Sequence, residues 1–252
     1  MKLILRRRLR SALRGFTIPE TYESAAFEDE RERERLAAVA ASASHPLRLH
    51  IGCGPRLLAG WINIDLAYQH SDEPLQTDAG PEFAAPSGDV EDAAAREGRE
   101  DVAARGTRDD FFAIDVTRGL PLPDRCVEVI FHEDFIEHLN QRDAVGFLAE
   151  AHRVLCDGGV HRVNSPDLAA SMRDHSHFER GLAGTYTGEW DRWHHRNVFT
   201  PRYLEEVARM VGYSRLEFNQ RNASVSPLIA PELRPSPGDR PEDGNLFADL
   251  LK

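Results

Sequence analysis

Residues 47–51, Leu-Arg-Leu-His-Ile, alternate apolar and polar side chains and run straight into Gly52-Cys53-Gly54. Period-two alternation marks a half-buried strand, and glycines directly behind it let the backbone turn sharply and approach a ligand closely. A second strand, Trp61-Ile62-Asn63-Ile64, ends on Asp65, and only ten residues separate Gly54 from Asp65. A strand, a glycine turn, and a neighbouring strand ending on an acid belong to open sheets whose ligands sit beyond the carboxyl ends of the strands. The spacing narrows this further. A parallel crossover with a full helix takes about a dozen residues or more, and no third glycine here opens a long helix whose N-terminus would hold a pyrophosphate. A cofactor without phosphates fits the series better than a dinucleotide does.

The rest of the chain continues the alternation of strand and helix. Phe111–Asp115 reads as a third strand with Val116 behind it, Leu120–Asp124 as a turn, and Val127–Phe131 as a fourth strand. Val145, Leu148, Ala149, His152 and Leu155 recur at helical spacing over 141–155, and Asp157-Gly158-Gly159 stops that helix. Val160–Val163 begins a fifth strand that ends near Asn164-Ser165-Pro166. Thr200-Pro201 supplies a cap and a first-turn proline for a helix that stops at Gly212. Residues 213–219 and 224–230 are candidates for a closing hairpin. Together these elements predict an α/β fold, doubly wound around a mostly parallel sheet, with helices on both faces. The predicted organisation is N-terminal helices over 1–43, the α/β domain over 44–230, and a Pro/Asp-rich tail over 231–252 with Leu246–Leu251 as a short docking helix. Residues 69–109 hold a single aromatic, Phe83, and read as a low-complexity acidic insertion.

Charge and cysteine usage exclude several classes. A net charge of -11 argues against general nucleic-acid binding. The basic residues Lys2, Arg6, Arg10 and Arg14 recur every fourth residue in 1–16, alongside Leu5, Leu9 and Leu13, as in an amphipathic helix that docks on its own domain, on a partner protein or on an anionic membrane face. The Glu/Arg run within 28–42 reads as a solvated helix face. Cys53, Cys126 and Cys156 are scattered and form no C-x-x-C pair, so neither a disulfide framework nor a zinc ribbon is indicated and a reducing cytoplasm is the expected location, with the inner membrane face as the alternative. Leu3-Ile4-Leu5 is too short for a signal-peptide core.

The ordered motifs resemble a short-motif branch of the class I S-adenosylmethionine-dependent methyltransferases. Leu47–Leu66 resembles that family's glycine motif and second strand. Asp115–Leu139 is similar to its Asp, its Leu-Pro-x-Pro-Asp turn, its fourth strand and its Glu-His-Leu ending. Glu150–Leu168 resembles its helix, Gly-Gly turn and fifth strand, and His195–Tyr213 the helix before its last strands. Asp157 stands where the family usually has proline. The resemblance implies a Rossmann-like, seven-stranded sheet with a reversed last strand and S-adenosyl-L-methionine as cofactor. It implies that Gly52, Cys53 and Gly54 line the methionine part, that Asp65 holds the ribose, that Asp115 and Val116 hold the adenine, and that His132 and Glu133 flank the transferring methyl.

For a hydroxyl acceptor the protein must also take up a proton. Glu137-His138, just past strand four, is the candidate base, and Asp167, just past strand five, resembles the second acid of some sugar O-methyltransferases. The alternative is that His138 bonds backbone at a helix start and Asp167 caps a helix. His175, His177, His194 and His195 surround Trp190 and Trp193, but their spacing matches no standard metal scheme; a substrate-facing lid is the expected role. The expected function is methyl transfer to a small-molecule acceptor, a saccharide or envelope or natural-product precursor offering a hydroxyl or an amine. The alternatives are a catalytically weak or inactive binding protein on the same fold, or a dinucleotide enzyme, for which no phosphate loop is present.

Overall fold

The computed structural model describes residues 20–66, 106–170, 194–235 and 242–252. The basic helix read at 2–16, nearly all of the acidic insertion, and His175, His177, Trp190 and Trp193 lie outside the described residues.

The described elements are α1 (Glu20–Ser42), β1 (Leu47–Ile51), β2 (Ile62–Ile64), β3 (Phe111–Phe112), β4 (Val127–Glu133), α2 (Gln141–Val154), β5 (Leu155–Pro166), α3 (Pro201–Val211), β6 (Arg215–Phe218) and β7 (Asn245–Leu251). They build one seven-stranded sheet in the order β3-β2-β1-β4-β5-β7-β6. β7 runs antiparallel to both its neighbours, and the other pairings are parallel. Connections from β1 run outward to β2 and β3 on one side and to β4 and β5 on the other. The β1/β4 boundary is therefore the switch point at which open α/β sheets bind ligands.

The local signals for α3 act as read, whereas α2 ends at Val154 and Asp157-Gly158-Gly159 lies within β5. Asn140 caps α2 by accepting from the Asp143 amide at 3.0 Å. Thr200 caps α3 by accepting from the Tyr203 amide at 3.2 Å, and Gly212 closes it in a left-handed conformation, φ 114°. Both helices bury apolar residues such as Phe147, Leu148, Leu204 and Val207 against one face of the sheet, where Leu49, Ile51, Ile64 and Ile130 also lie.

Two expectations are corrected. First, Leu246–Leu251 is no docking helix: Asn245–Leu251 is a strand inserted between β5 and β6. Leu246, Ala248 and Leu250 join the main core, while Phe247 and Asp249 face the other way. The domain thus extends beyond residue 230, and residues 224–230 form no strand. Second, the Glu/Arg run of α1 is only partly solvated. Asp29, 4% exposed, accepts from the Asp115 amide at 2.8 Å and pairs with Arg118. Arg33 donates to the Gly119 carbonyl at 2.8 Å, and Arg35 donates to the Asp109 carbonyl and lies 3.7 Å over the Phe112 ring. These arginines satisfy carbonyls at the sheet edge, where strand pairing ends. The described helices lie on one sheet face. The opposite face, with Leu58, Trp61, Val129 and Phe131, is covered by Leu228, Ile229 and Ala230 from the long β6–β7 connection.

An ion network anchors that connection. Arg162, on β5 and fully buried, forks onto Glu232 with two bonds of 2.9 Å and reaches Asp249 at 3.3 Å. Asp249 also accepts from Ser224 Oγ at 2.9 Å and from Asn219 Nδ2 and the Val225 amide at 2.8 Å.

Candidate active site

Gly52–Gly54 leave β1 at the switch point. The Gly52 and Cys53 amides donate to the Ile64 carbonyl of β2, at 2.8 and 3.3 Å, so the turn is stitched to the neighbouring strand. Gly52 and Gly54 have φ of +63° and +51°, a region that L side chains rarely adopt. The two glycines serve different needs. A Cβ on Gly52 would stand 2.8 to 3.0 Å from the Phe135 side chain, whereas one on Gly54 would meet nothing within 4 Å. Gly52 is therefore needed for packing beneath the turn, and Gly54 presents bare backbone to open space.

Asp65 lies directly beside this turn. Its Oδ2 accepts from the Gly54 amide at 2.9 Å, and its own amide donates to Phe112 of β3 at 3.3 Å. Glycine turn and acid are thus one hydrogen-bonded unit. Cys53 is buried within it, and burial followed by the Asp65 charge pushes its thiol well above the usual range, so it is no thiolate nucleophile. Asp115 and Val116 follow β3. Asp115 Oδ1 accepts from the Thr117 amide at 3.0 Å and from its hydroxyl at 2.6 Å, and the Asp115 amide is held by Asp29. Val116 is buried. The structure connects Asp115 to α1 and to its own turn.

His132 and Glu133 end β4 and point to opposite faces. His132 is fully buried on the α2 side among Phe135, Phe147 and His161, and neither ring nitrogen has a hydrogen-bond partner among the described residues. Burial, then the neighbouring His161 and His50, lowers its pKa well below the ordinary value, so the ring stays neutral. Glu133 instead meets Arg56 from the glycine turn at 2.6 Å. Its other oxygen accepts from Asn164 at 3.2 Å and from the Leu233 and Arg234 amides at 2.8 Å. Arg56 also reaches the Pro231 carbonyl. Residues 231–234 therefore strap the carboxyl end of β4 to the glycine turn. Arg56, Asn164 and this strap escaped sequence reading. They are single polar residues in unrelated segments, with no shared spacing to reveal them.

Burial raises the Glu133 pKa from its ordinary 4.5 to about 7, outweighing the lowering effects of Arg56 and of the strap amides. The folded protein then holds this proton where the unfolded chain has lost it. Stability is expected to fall as pH rises from about 4.5 to about 7 and to level off above that. Glu133→Gln should flatten this segment of the curve of unfolding free energy against pH; an unchanged slope would show that Glu133 does not carry it.

Beyond β4, the 3-10 turn Ile136–His138 brings Glu137 inward and leaves His138 exposed. Glu137 is fully buried, and its Oε2 accepts from Ser165 Oγ at 3.1 Å. Its carbonyl accepts from the Arg196 and Asn197 amides, at 2.7 and 3.1 Å, which docks the segment before α3 onto this turn. His194, at φ +56°, turns that segment, and His195 Nε2 comes to 3.9 Å from Glu137 Oε1. The His138 and His195 rings meet edge to face at 4.9 Å. Desolvation, then the adjacent His195, lowers the His138 pKa to about 4, so its imidazole is neutral at pH 7 and a weaker base than a free one. Asp167 is placed differently. Its Oδ1 caps the Ala169 amide at 2.9 Å, and it takes no part in the Glu137–His138–His195 cluster.

Comparison with known proteins gives one family model and a set of solved structures. Residues 49–163 match the family model described as methyltransferase domain. No curated protein matches the chain. Among solved structures, a SAM-dependent methyltransferase from Archaeoglobus fulgidus is 14% identical with a TM-score of 0.47, over 90% of this chain and 98% of that one. A SAM-dependent methyltransferase from Thermotoga maritima is 16% identical with a TM-score of 0.44, over the full length of both. The family match spans β1 through the core of β5, the same stretch that builds the switch point, the glycine turn and Asp65. Residues 49–163, a little under half of the chain, are thus similar to a methyltransferase domain.

Proposed function

We propose that this protein transfers a methyl group from S-adenosylmethionine to a small-molecule hydroxyl or amine, with a saccharide or an envelope or natural-product precursor as the acceptor class. The observation that carries the proposal is the Gly54–Asp65 unit at the switch point, where open space lies against bare backbone beside a carboxylate. That combination suits an adenosyl ligand without phosphates: backbone at Gly52, Cys53 and Gly54 approaches the amino-acid part, Asp65 accepts from ribose hydroxyls, and Asp115 with Val116 meets the adenine edge. Glu133 borders the methionine end through Arg56. His132 acts there only indirectly, by packing Phe135 beneath the turn.

When bound, the cofactor supplies an electrophilic methyl on a sulfonium sulfur. The chain's part is to orient the acceptor and receive its proton. His138 is exposed and follows Glu137 just past β4, and is proposed to take that proton; its lowered pKa makes it a weaker base than a free imidazole. Asp167 is proposed as a further contact on the acceptor side.

Isothermal titration with S-adenosylhomocysteine tests the core of this. Binding is expected for the wild type and at least a tenfold loss for Asp65→Ala, which removes the carboxylate and also frees the Gly54 amide. No heat at millimolar ligand would remove the proposal.

A second reading, a weakly active or inactive binding protein, is favoured by one observation: Glu133 and Asp115 already direct carboxylate oxygens to Arg56, the strap and Thr117. Ligand binding without turnover on a panel of acceptors would support it. Cytoplasmic location and contact with a partner or membrane face through residues 1–16 remain part of the proposal; no helix among the described residues is long and apolar enough to cross a membrane.

A further inference from the structure

We propose that Glu137, His138 and His195 form a binding site for a divalent first-row transition cation. One carboxylate oxygen and two imidazole nitrogens from these residues lie within 4.8 Å of one another. Ligand atoms around a tetrahedral zinc ion stand about 3.3 Å apart, given bonds of roughly 2.0–2.1 Å, so modest side-chain rotation closes the set. Two imidazoles with one carboxylate suit zinc, iron, cobalt or manganese, and disfavour calcium and magnesium, which prefer oxygen.

Two further features orient the set. Ser165 Oγ holds Glu137 Oε2, leaving Oε1 as the oxygen turned toward His195. Such outer hydrogen bonds fix metal-ligating carboxylates. The backbone clamp from Arg196 and Asn197 onto the Glu137 carbonyl then fixes where His195 begins, and the left-handed His194 supplies the turn that brings its ring inward. A non-glycine residue in that conformation persists where surrounding structure holds it, often at functional sites.

Three protein ligands make an open site, with coordination positions left for other molecules. Resting on the methyl-transfer reading, the acceptor would be a hydroxyl with a second oxygen on the adjacent carbon, since such a pair chelates one ion. In the loaded protein the cation lowers the hydroxyl pKa, so the proton passes to solvent water, and His138 serves as a ligand in place of the proton-accepting role it has in the metal-free protein.

The test uses the full chain, stripped with a chelator and titrated with Co²⁺ while visible ligand-field absorption is followed. Saturable absorption at one equivalent, displaced by Zn²⁺, is expected. His138→Ala, which removes an exposed side chain, and Glu137→Gln should each weaken binding at least tenfold, with melting curves confirming folded protein. Absence of saturable absorption in the wild type overturns the site, as does a folded His138→Ala that binds like wild type; if Glu137→Gln does not fold, His138→Ala decides alone. Cyclohexane-1,2-diol should alter the cobalt spectrum where cyclohexanol does not, and no difference removes the chelating acceptor. Titration of the same stripped protein with S-adenosylhomocysteine separates the two proposals. Cofactor heat without cobalt absorption removes the cation alone, and cobalt absorption without cofactor heat removes methyl transfer alone.

Discussion

Replacing Arg162 with methionine is expected to destabilise the protein by about 3–5 kcal/mol and to lower its melting temperature by about 10 °C. The guanidinium is fully buried and lies between the Glu232 and Asp249 carboxylates, which are also buried. Removing it leaves two acidic groups facing each other away from water, without the cation that compensates them. The same guanidinium donates to the Gln220 carbonyl at 2.9 Å, so its loss also releases the connection that covers the second sheet face. A sharper test is the triple variant Arg162→Met, Glu232→Gln, Asp249→Asn. Removing all three charges together is expected to cost less than removing the arginine alone, because no uncompensated ion remains. Chemical denaturation of the two variants side by side decides this; a triple variant less stable than the single one would show that packing, not charge, dominates the network.

Gly52→Ala is expected to cost about 2–5 kcal/mol, from two separable sources. The left-handed backbone conformation adds about 1–2 kcal/mol for any side chain, and overpacking typically adds about 1–3 kcal/mol. The overlap here is with Phe135, at 2.8 Å from the ideal Cβ position. Phe135→Ala removes that obstacle and leaves the backbone term. In a double-mutant cycle the two substitutions should therefore cost less together than the sum of each alone, by about 1–2 kcal/mol. Strict additivity would place the whole penalty in the backbone. Gly54→Ala is the internal control: it shares the positive φ and meets nothing within 4 Å, so it should show the backbone cost alone.

The parts of this protein that announce themselves in sequence are those governed by local rules. Alternation in Leu47–Ile51 and the glycine turn behind it specify β1 and its exit. Thr200, Pro201 and Gly212 bound α3 as capping chemistry predicts. The neighbouring positions of Gly54 and Asp65 were also legible, because both lie at the ends of adjacent parallel strands.

What failed to be legible depends on partners far along the chain. β7 contains Asp249, and an acid in an apolar run reads as an element end or a surface residue until Arg162 is known to sit across from it. The Glu/Arg run of α1 has the composition of a solvated face, yet its arginines reach backbone carbonyls more than seventy residues away. His195 meets Glu137 only because the segment before α3 folds back onto the turn after β4.

Composition, periodicity and capping thus establish an α/β sheet with a glycine turn and an acid side by side. The strand that completes the sheet, the strap on Glu133 and the grouping of Glu137, His138 and His195 were settled by folding. A buried charge is stable only beside its counter-charge, and that partner is recruited by spatial packing, which leaves no periodic trace along the chain.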